Sequence, residues 1–279
     1  MTNKVLKQIV SGNHVSDGAG VQLRRLIGSP DMNMLDPFLL FDAFGSDRPQ
    51  DYLAGFPPHP HRGFETVTYL LDGKMRHEDS AGHSGVIESG GVQWMTAGRG
   101  IVHSEMPEQE EGLLAGFQLW VNLPASEKMC APRYQEYGAL EIPVETHDNG
   151  MTIKVVAGQT EHGTKGVIDN PYVNPLYLHV KLPVGKTFRQ QVAAGDNSFV
   201  YLIRGQLLVG DSLQALQTGQ LGVLGSGSVV KLTAEQDSEF LLVSGQPLNE
   251  PVARGGPFVM NTEAEIAQAF ADYRRGRFA

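Results

Sequence analysis

The chain has 279 residues, enough for one large domain or two of about 100–150 residues each. Only 19% of them are charged while glycine reaches 33 and proline 16, a balance that suits turn-rich β-structure better than helical bundles. A net charge of −9, with no basic cluster beyond Arg274, Arg275 and Arg277, argues against direct nucleic-acid binding, and the single Cys130 excludes an internal disulfide framework. The first twenty residues hold no long apolar core and no small-residue cleavage site, and no run approaches the roughly 18 apolar residues of a membrane helix. A cytoplasmic protein without a membrane partner is expected.

The predicted elements follow in short pieces. Residues 21–27 alternate as a strand that Pro30 and Asp31 end, and residues 38–42 form a second, apolar one. Residues 66–71 are β-branched and aromatic, with Asp72-Gly73 as the turn after them. Gly90-Gly91 precedes a strand at 92–95, and Gly116 one at 117–121. Asn149-Gly150 predicts a hairpin between residues 142–144 and 151–156. Near the end, Thr262-Glu263-Ala264-Glu265 is a capping box, followed at helical spacing by Ile266, Phe270 and Tyr273 and closed by Gly276. That helix is expected to pack, with Phe270 buried. The sum is an all-β chain with one short C-terminal helix.

An internal repeat divides it. Residues 68–74 resemble 200–206, and residues 91–102 resemble 219–230, in the same order at nearly the same offset. Two barrels of similar design are expected, over residues 1–135 and 136–279.

Histidine, the commonest metal ligand, marks the chemistry. In His59-Pro60-His61 the residues i and i+2 share a strand face and offer two imidazoles to one ion. Glu65 follows, and then His103-Ser104-Glu105 supplies a second i, i+2 pair. One such dipeptide arises easily by chance; the combination does not. Three neutral nitrogens and a carboxylate oxygen suit Fe(II), Ni, Mn, Cu, Co or Zn. Spacing leaves Glu65 and Glu105 both open as the carboxylate. At the repeat-related positions stand Gln191, Ala193, Asn197, Lys231 and Thr233, so one ion is expected, in the N-terminal half. His77, Asp79 and His83 are expected on a hairpin rim, Arg62 and Arg99 beside the ligands, and Phe64 and Trp94 as pocket walls or core. Cys130 has no catalytic neighbour and is expected to be structural.

The arrangement follows the cupin pattern with departures: Gly55 stands close to His59, Thr96-Ala97-Gly98 replaces P-x-G, and no Asn follows His103. With those departures, His59-Pro60-His61-Arg62-Gly63-Phe64-Glu65-Thr66-Val67, the run from Gln93 to Glu105, Asp36-Pro37-Phe38-Leu39-Leu40-Phe41-Asp42 and Gly256-Pro257-Phe258-Val259-Met260-Asn261-Thr262 resemble the pirin family, over roughly residues 18–278. The resemblance implies an all-β bicupin of two stacked, jelly-roll-like barrels. It implies one transition-metal ion, Fe(II) first with Ni, Mn, Cu, Co or Zn as alternatives, on His59, His61, His103 and Glu105. It favours Glu105 over Glu65 as the carboxylate.

Pirin relatives described as quercetin 2,3-dioxygenases imply a flavonol substrate cleaved with O2 and release of carbon monoxide, with Glu105 as the nearest base and Glu65 as second choice. Pirins known as regulators imply a competing role: a non-enzymatic partner of a transcription factor or metabolic enzyme, with the metal as redox switch. The two differ physically. An enzyme needs a cavity of about 300 Å3 or more beside the metal, a regulator a partner-sized patch of about 800 Å2.

Overall fold

A computed structural model describes residues 1–278. Its named strands pair antiparallel, and the capping box of Thr262 and Glu265 starts the helix Glu263–Arg274 as expected. Among the described residues no helix is long and apolar enough to cross a membrane. The chain groups into two compact units, neither continuous in sequence. One comprises Asn13–Ala139 with Leu248–Ala279, the other Met1–Gly12 with Leu140–Pro247. A division at residue 135 therefore describes the middle of the chain, while the two chain ends exchange units.

In the first unit a seven-stranded sheet runs in the spatial order Arg133–Tyr137, Val92–Thr96, Phe64–Asp72, Leu114–Asn122, Phe38–Ser46, Val21–Ile27, Asn13–Asp17. A four-stranded sheet runs in the order Phe56–His61, Ile101–Pro107, Lys74–Asp79, Ser84–Glu88. Alternation decides which side chains turn inward. In Ile101–Pro107 the residues Ile101, His103 and Glu105 are buried and those between them are not. The central strand Phe64–Asp72 is buried continuously through Leu70, which fits its run of Val, Thr, Tyr and Leu.

The second unit repeats the plan. Its seven-stranded sheet runs Leu6–Val10, Leu221–Leu224, Asn197–Arg204, Ser238–Gly245, Leu176–Leu182, Thr152–Ala157, Val144–Thr146, and its four-stranded sheet Thr187–Gln191, Val229–Ala234, Gln206–Val209, Gln214–Gln217. Its core holds an apolar cluster that includes Phe188, Phe240, Leu202 and Leu232. The correspondence is strand for strand. It explains the weak sequence repeat: the pattern of inward apolar residues survives where identities have drifted.

The C-terminal segment folds onto the first unit. Arg254 and Val259 pair in a short ribbon, and Val259 N–H donates to the Arg62 carbonyl. The helix buries Ile266 and Ala269 in a cluster with Phe258 and Phe278. Phe270 does not share that burial. It packs edge-on against Phe258 but keeps 37% of its surface exposed, because the buried face of this short helix is centred on Ile266 and Ala269.

Candidate metal centre

His59 and His103 are direct cross-strand partners, and His61 lies opposite Ile101. The inward face therefore gathers three imidazoles from two strands. Ring centroids of His59 and His103 are 4.5 Å apart, His59 and His61 4.7 Å, His61 and His103 5.1 Å. One nitrogen of each ring lies within 4.8 Å of the others.

The ring nitrogens are prepared for an ion. His59 Nδ1 faces the Pro57 carbonyl at 2.9 Å and His61 Nδ1 the Pro257 carbonyl at 3.4 Å. A nitrogen that donates to a carbonyl carries the proton, which leaves Nε2 of each ring with a free lone pair. His103 is buried with neither ring nitrogen hydrogen-bonded. An unsatisfied buried polar atom is costly and points to a partner beyond the protein atoms. Burial, and then the His59 and His77 imidazoles, push His103 down to about 3. Burial, and then His103 and His59, hold His61 well below its ordinary value. Both rings are neutral at physiological pH, the form that binds metal. The donor set fits a first-row transition ion.

Glu105 stands outside this triad. Between His103 and Glu105 the register with the strand Phe56–His61 shifts, so that Glu105 lies opposite Phe56. Two residues on one strand span three on the other, and the extra residue falls at Pro57-Pro58. Proline cannot donate to the ladder and settles where pairing breaks. Glu105 keeps its inward face, and its Oε1 lies 2.9 Å from the Thr68 hydroxyl. That hydroxyl is also 2.6 Å from Gln118 Oε1. It has one proton to give. The chain is satisfied with the Gln118 amide turned so that its NH2 donates to Thr68 and Thr68 donates to Glu105.

A cavity of about 600 Å3 opens beside the triad, with His59, His61, Glu105, Thr68 and Gln118 on its wall. Its apolar surface comes from Phe44, Phe56 and Trp120, and Arg25 and Asp42 line it as a bidentate ion pair at 3.0 and 2.7 Å. Phe64 and Trp94 do not line it. Phe64 lies behind His61 at 5.0 Å and against Trp120 at 4.3 Å, and Trp94 is buried in the sheet. Glu65 is fully buried, accepts the Thr96 hydroxyl at 2.7 Å and is not on the cavity wall.

The flanking residues have other tasks. Arg62 is buried and reaches the helix, pairing with Asp272 at 2.8 Å beneath the Phe278 ring. Arg99 is exposed. His77, expected on a rim, is buried with Nε2 2.6 Å from Glu136, whereas His83 is exposed and meets Asp79 at 3.0 Å. Sequence reasoning also passed over Lys128, which is buried and donates to the Gly63 carbonyl at 2.7 Å, Asn122 Oδ1 at 2.6 Å and the Val259 carbonyl at 3.1 Å. It ties the loop after His61 to the C-terminal segment. Gly63 has φ +86°, and a Cβ there would collide with the Val259 carbonyl. In the second unit the strands Thr187–Gln191 and Val229–Ala234 turn Phe188, Gln190, Val230 and Leu232 inward, so no imidazole enters that barrel from these two strands.

Comparisons with known proteins agree with this architecture. A family model described as pirin matches residues 20–121, and one described as the pirin C-terminal cupin domain matches residues 177–279. A pirin-like protein of Caulobacter vibrioides is 53% identical over 276 residues, 98% of each chain. A crystal structure of quercetin 2,3-dioxygenase from Acinetobacter baumannii superposes with a TM-score of 0.91 at 35% identity, covering 100% of this chain and 99% of that one. A bacterial pirin from Escherichia coli in complex with nickel(II) shares the fold, with a TM-score of 0.67 at 20% identity over 86% of this chain and 98% of that one.

Proposed function

This chain belongs to the pirin family, and from that premise we propose that it is a metal-dependent oxygenase of the quercetin 2,3-dioxygenase type, which cleaves a flavonol with O2. The observation that carries the reading is the cavity of about 600 Å3 with His59, His61 and Glu105 on one wall. Its volume falls within the roughly 300–1,000 Å3 usual for small-molecule sites, above what a buried metal alone requires. The likeness to the Acinetobacter baumannii dioxygenase supports the same substrate class.

His59, His61 and His103 are assigned as ligands through ring nitrogens, with Glu105 as the carboxylate of the set. Fe(II) is the first choice, and the nickel(II) held by the Escherichia coli pirin supports nickel as an alternative. The ion supplies Lewis-acid and redox chemistry toward O2 when bound. The protein supplies binding, orientation and proton transfer. Phe44, Phe56 and Trp120 give a planar aromatic substrate apolar walls and exclude water from it. Arg25 and Asp42 present a donor and an acceptor to its hydroxyl groups. Glu105 takes the proton of the flavonol 3-hydroxyl, and Thr68 with Gln118 holds the carboxylate in place to receive it. Glu65, the other carboxylate the sequence offered for that proton, is fully buried, held by Thr96 and off the cavity wall, which favours Glu105.

The test is turnover of quercetin by the full chain loaded in turn with Fe, Ni, Mn, Cu and Co, following O2 uptake and carbon monoxide. Equal amounts of the two are expected. Turnover no faster than with the free metal in every case would sink the enzymatic reading for flavonols. The regulatory reading would then lead, and capture of a transcription factor or metabolic enzyme by the metal-loaded chain would be its test.

A further inference from the structure

The second unit has lost the histidines of the first, but it gathers others elsewhere. Glu145 sits on the edge strand Val144–Thr146, His147 follows it, and His162 comes from the turn at residues 158–166. His147 Nε2 and His162 Nδ1 approach Glu145 Oε1 to 2.6 and 3.2 Å, and the two rings stand edge to face at 4.9 Å. All three donor atoms lie within 4.8 Å of one another. We infer that Glu145, His147 and His162 form a second metal site, one that takes a first-row divalent transition ion such as zinc.

Three features separate this cluster from an ordinary ion pair. Glu145 Oε1 and His147 Nε2 are both buried, and despite their 2.6 Å separation neither is aligned for a hydrogen bond. Buried polar atoms without a well-formed hydrogen bond call for a further partner. The other carboxylate oxygen, Oε2, is held at 2.5 Å by the hydroxyl of buried Thr160. That bond fixes the carboxylate and leaves Oε1 for an ion, as the outer partners of metal ligands do. The third donor, His162, is exposed and arrives from a different segment, so the site stays open to water on that side. Two imidazoles and one carboxylate suit zinc, nickel, cobalt or copper, and supply too few oxygens for calcium.

The sequence held a signal for this. Glu145-Thr146-His147 is an i, i+2 carboxylate–imidazole pair, the mirror of His103-Ser104-Glu105. It lies away from the repeat-related positions Gln191, Ala193, Asn197, Lys231 and Thr233. An ion here would staple the turn carrying His162 to the hairpin Val144–Ala157.

Zinc stoichiometry of the full chain, by equilibrium dialysis and elemental analysis, tests the inference. Wild type should bind two zinc ions per chain and H162A one. H61A, which removes the first site, should also bind one, and H61A/H147A none. Because His162 is exposed on a turn, H162A keeps the fold, and a matched circular dichroism spectrum checks this. Cobalt(II) gives a second readout: the d–d absorbance of wild type should fall in H162A while the first site's share persists. One zinc per chain in wild type would overturn the site, as would undiminished zinc in H162A or in H61A/H147A relative to H61A.

Discussion

Replacing Lys128 by Met tests whether a buried ammonium holds the loop behind His61. In the native state all three of its hydrogens go to neutral oxygens, and burial pushes its pKa down to about 8 despite the raising influence of Glu250 and Glu265. From 10.5 to about 8, keeping the ammonium charged costs about 3 kcal/mol at neutral pH. Met removes that cost but leaves three acceptors unpaired, each worth about 1–3 kcal/mol. The central expectation for K128M at pH 7 is a net loss of about 3 kcal/mol. The pH dependence carries the sharper test. The folded pKa lies below the unfolded one, so the penalty is fully present below pH 8, fades between about 8 and 10.5, and is gone above it. Wild type therefore gains on the variant as pH rises, by about 3 kcal/mol in all. Urea unfolding of both proteins at a series of pH values from neutral to alkaline reads the difference directly, because other titrating groups cancel between them. A difference that stays flat, or narrows, with rising pH would refute the buried-ammonium account.

Gly63→Ala should cost more than about 2 kcal/mol and weaken metal binding, since the left-handed backbone and the Val259 carbonyl both oppose a Cβ; thermal unfolding and metal analysis check this. His103→Ala should lose most of the metal of the N-terminal site, and metal retained in full would remove that residue from the ligand set. Glu105→Gln should lower flavonol turnover by about 10²-fold or more if it takes the proton, and unchanged turnover would remove Glu105 from that role. Phe270→Ala should cost about 1–2 kcal/mol, below the 3–5 of a fully buried ring, because its ring is partly exposed; a larger loss in denaturant unfolding would show that the helix depends on it.

The sequence made the clustered imidazoles legible because imidazoles at i and i+2 need only local geometry to share a face. The capping box at Thr262 and the Asn149-Gly150 turn were readable for the same reason: every partner lies within a few residues. What depended on pairing was not. Trp120, Phe44 and Phe56 become cavity walls only once their strands are placed in the barrel, and no local signal separates them from Phe64 or Trp94. The shift at Pro57-Pro58 sets Glu105 apart from the triad, and it shows only when two strands are laid side by side. His77 alternates like a rim residue, yet the partner that accompanies its burial, Glu136, lies 59 positions away in sequence. Lys128 looked like one more surface lysine because its acceptors come from three distant segments.

The exchange of chain ends sets a timetable for biosynthesis. The strand Leu6–Val10 is made more than two hundred residues ahead of its partner Leu221–Leu224. Arg254 and Pro257, which line the cavity, and Phe258, beneath the helix, are made long after His59, His61 and His103. The histidine barrel can assemble its sheets early but receives its final wall late, and in the other barrel the strand Leu6–Val10 waits for its partner. Domains usually fold as units in order of synthesis. Here each unit waits on a distant segment, so a chain cut before Arg254 forfeits part of the cavity wall even though His59, His61 and His103 are all present.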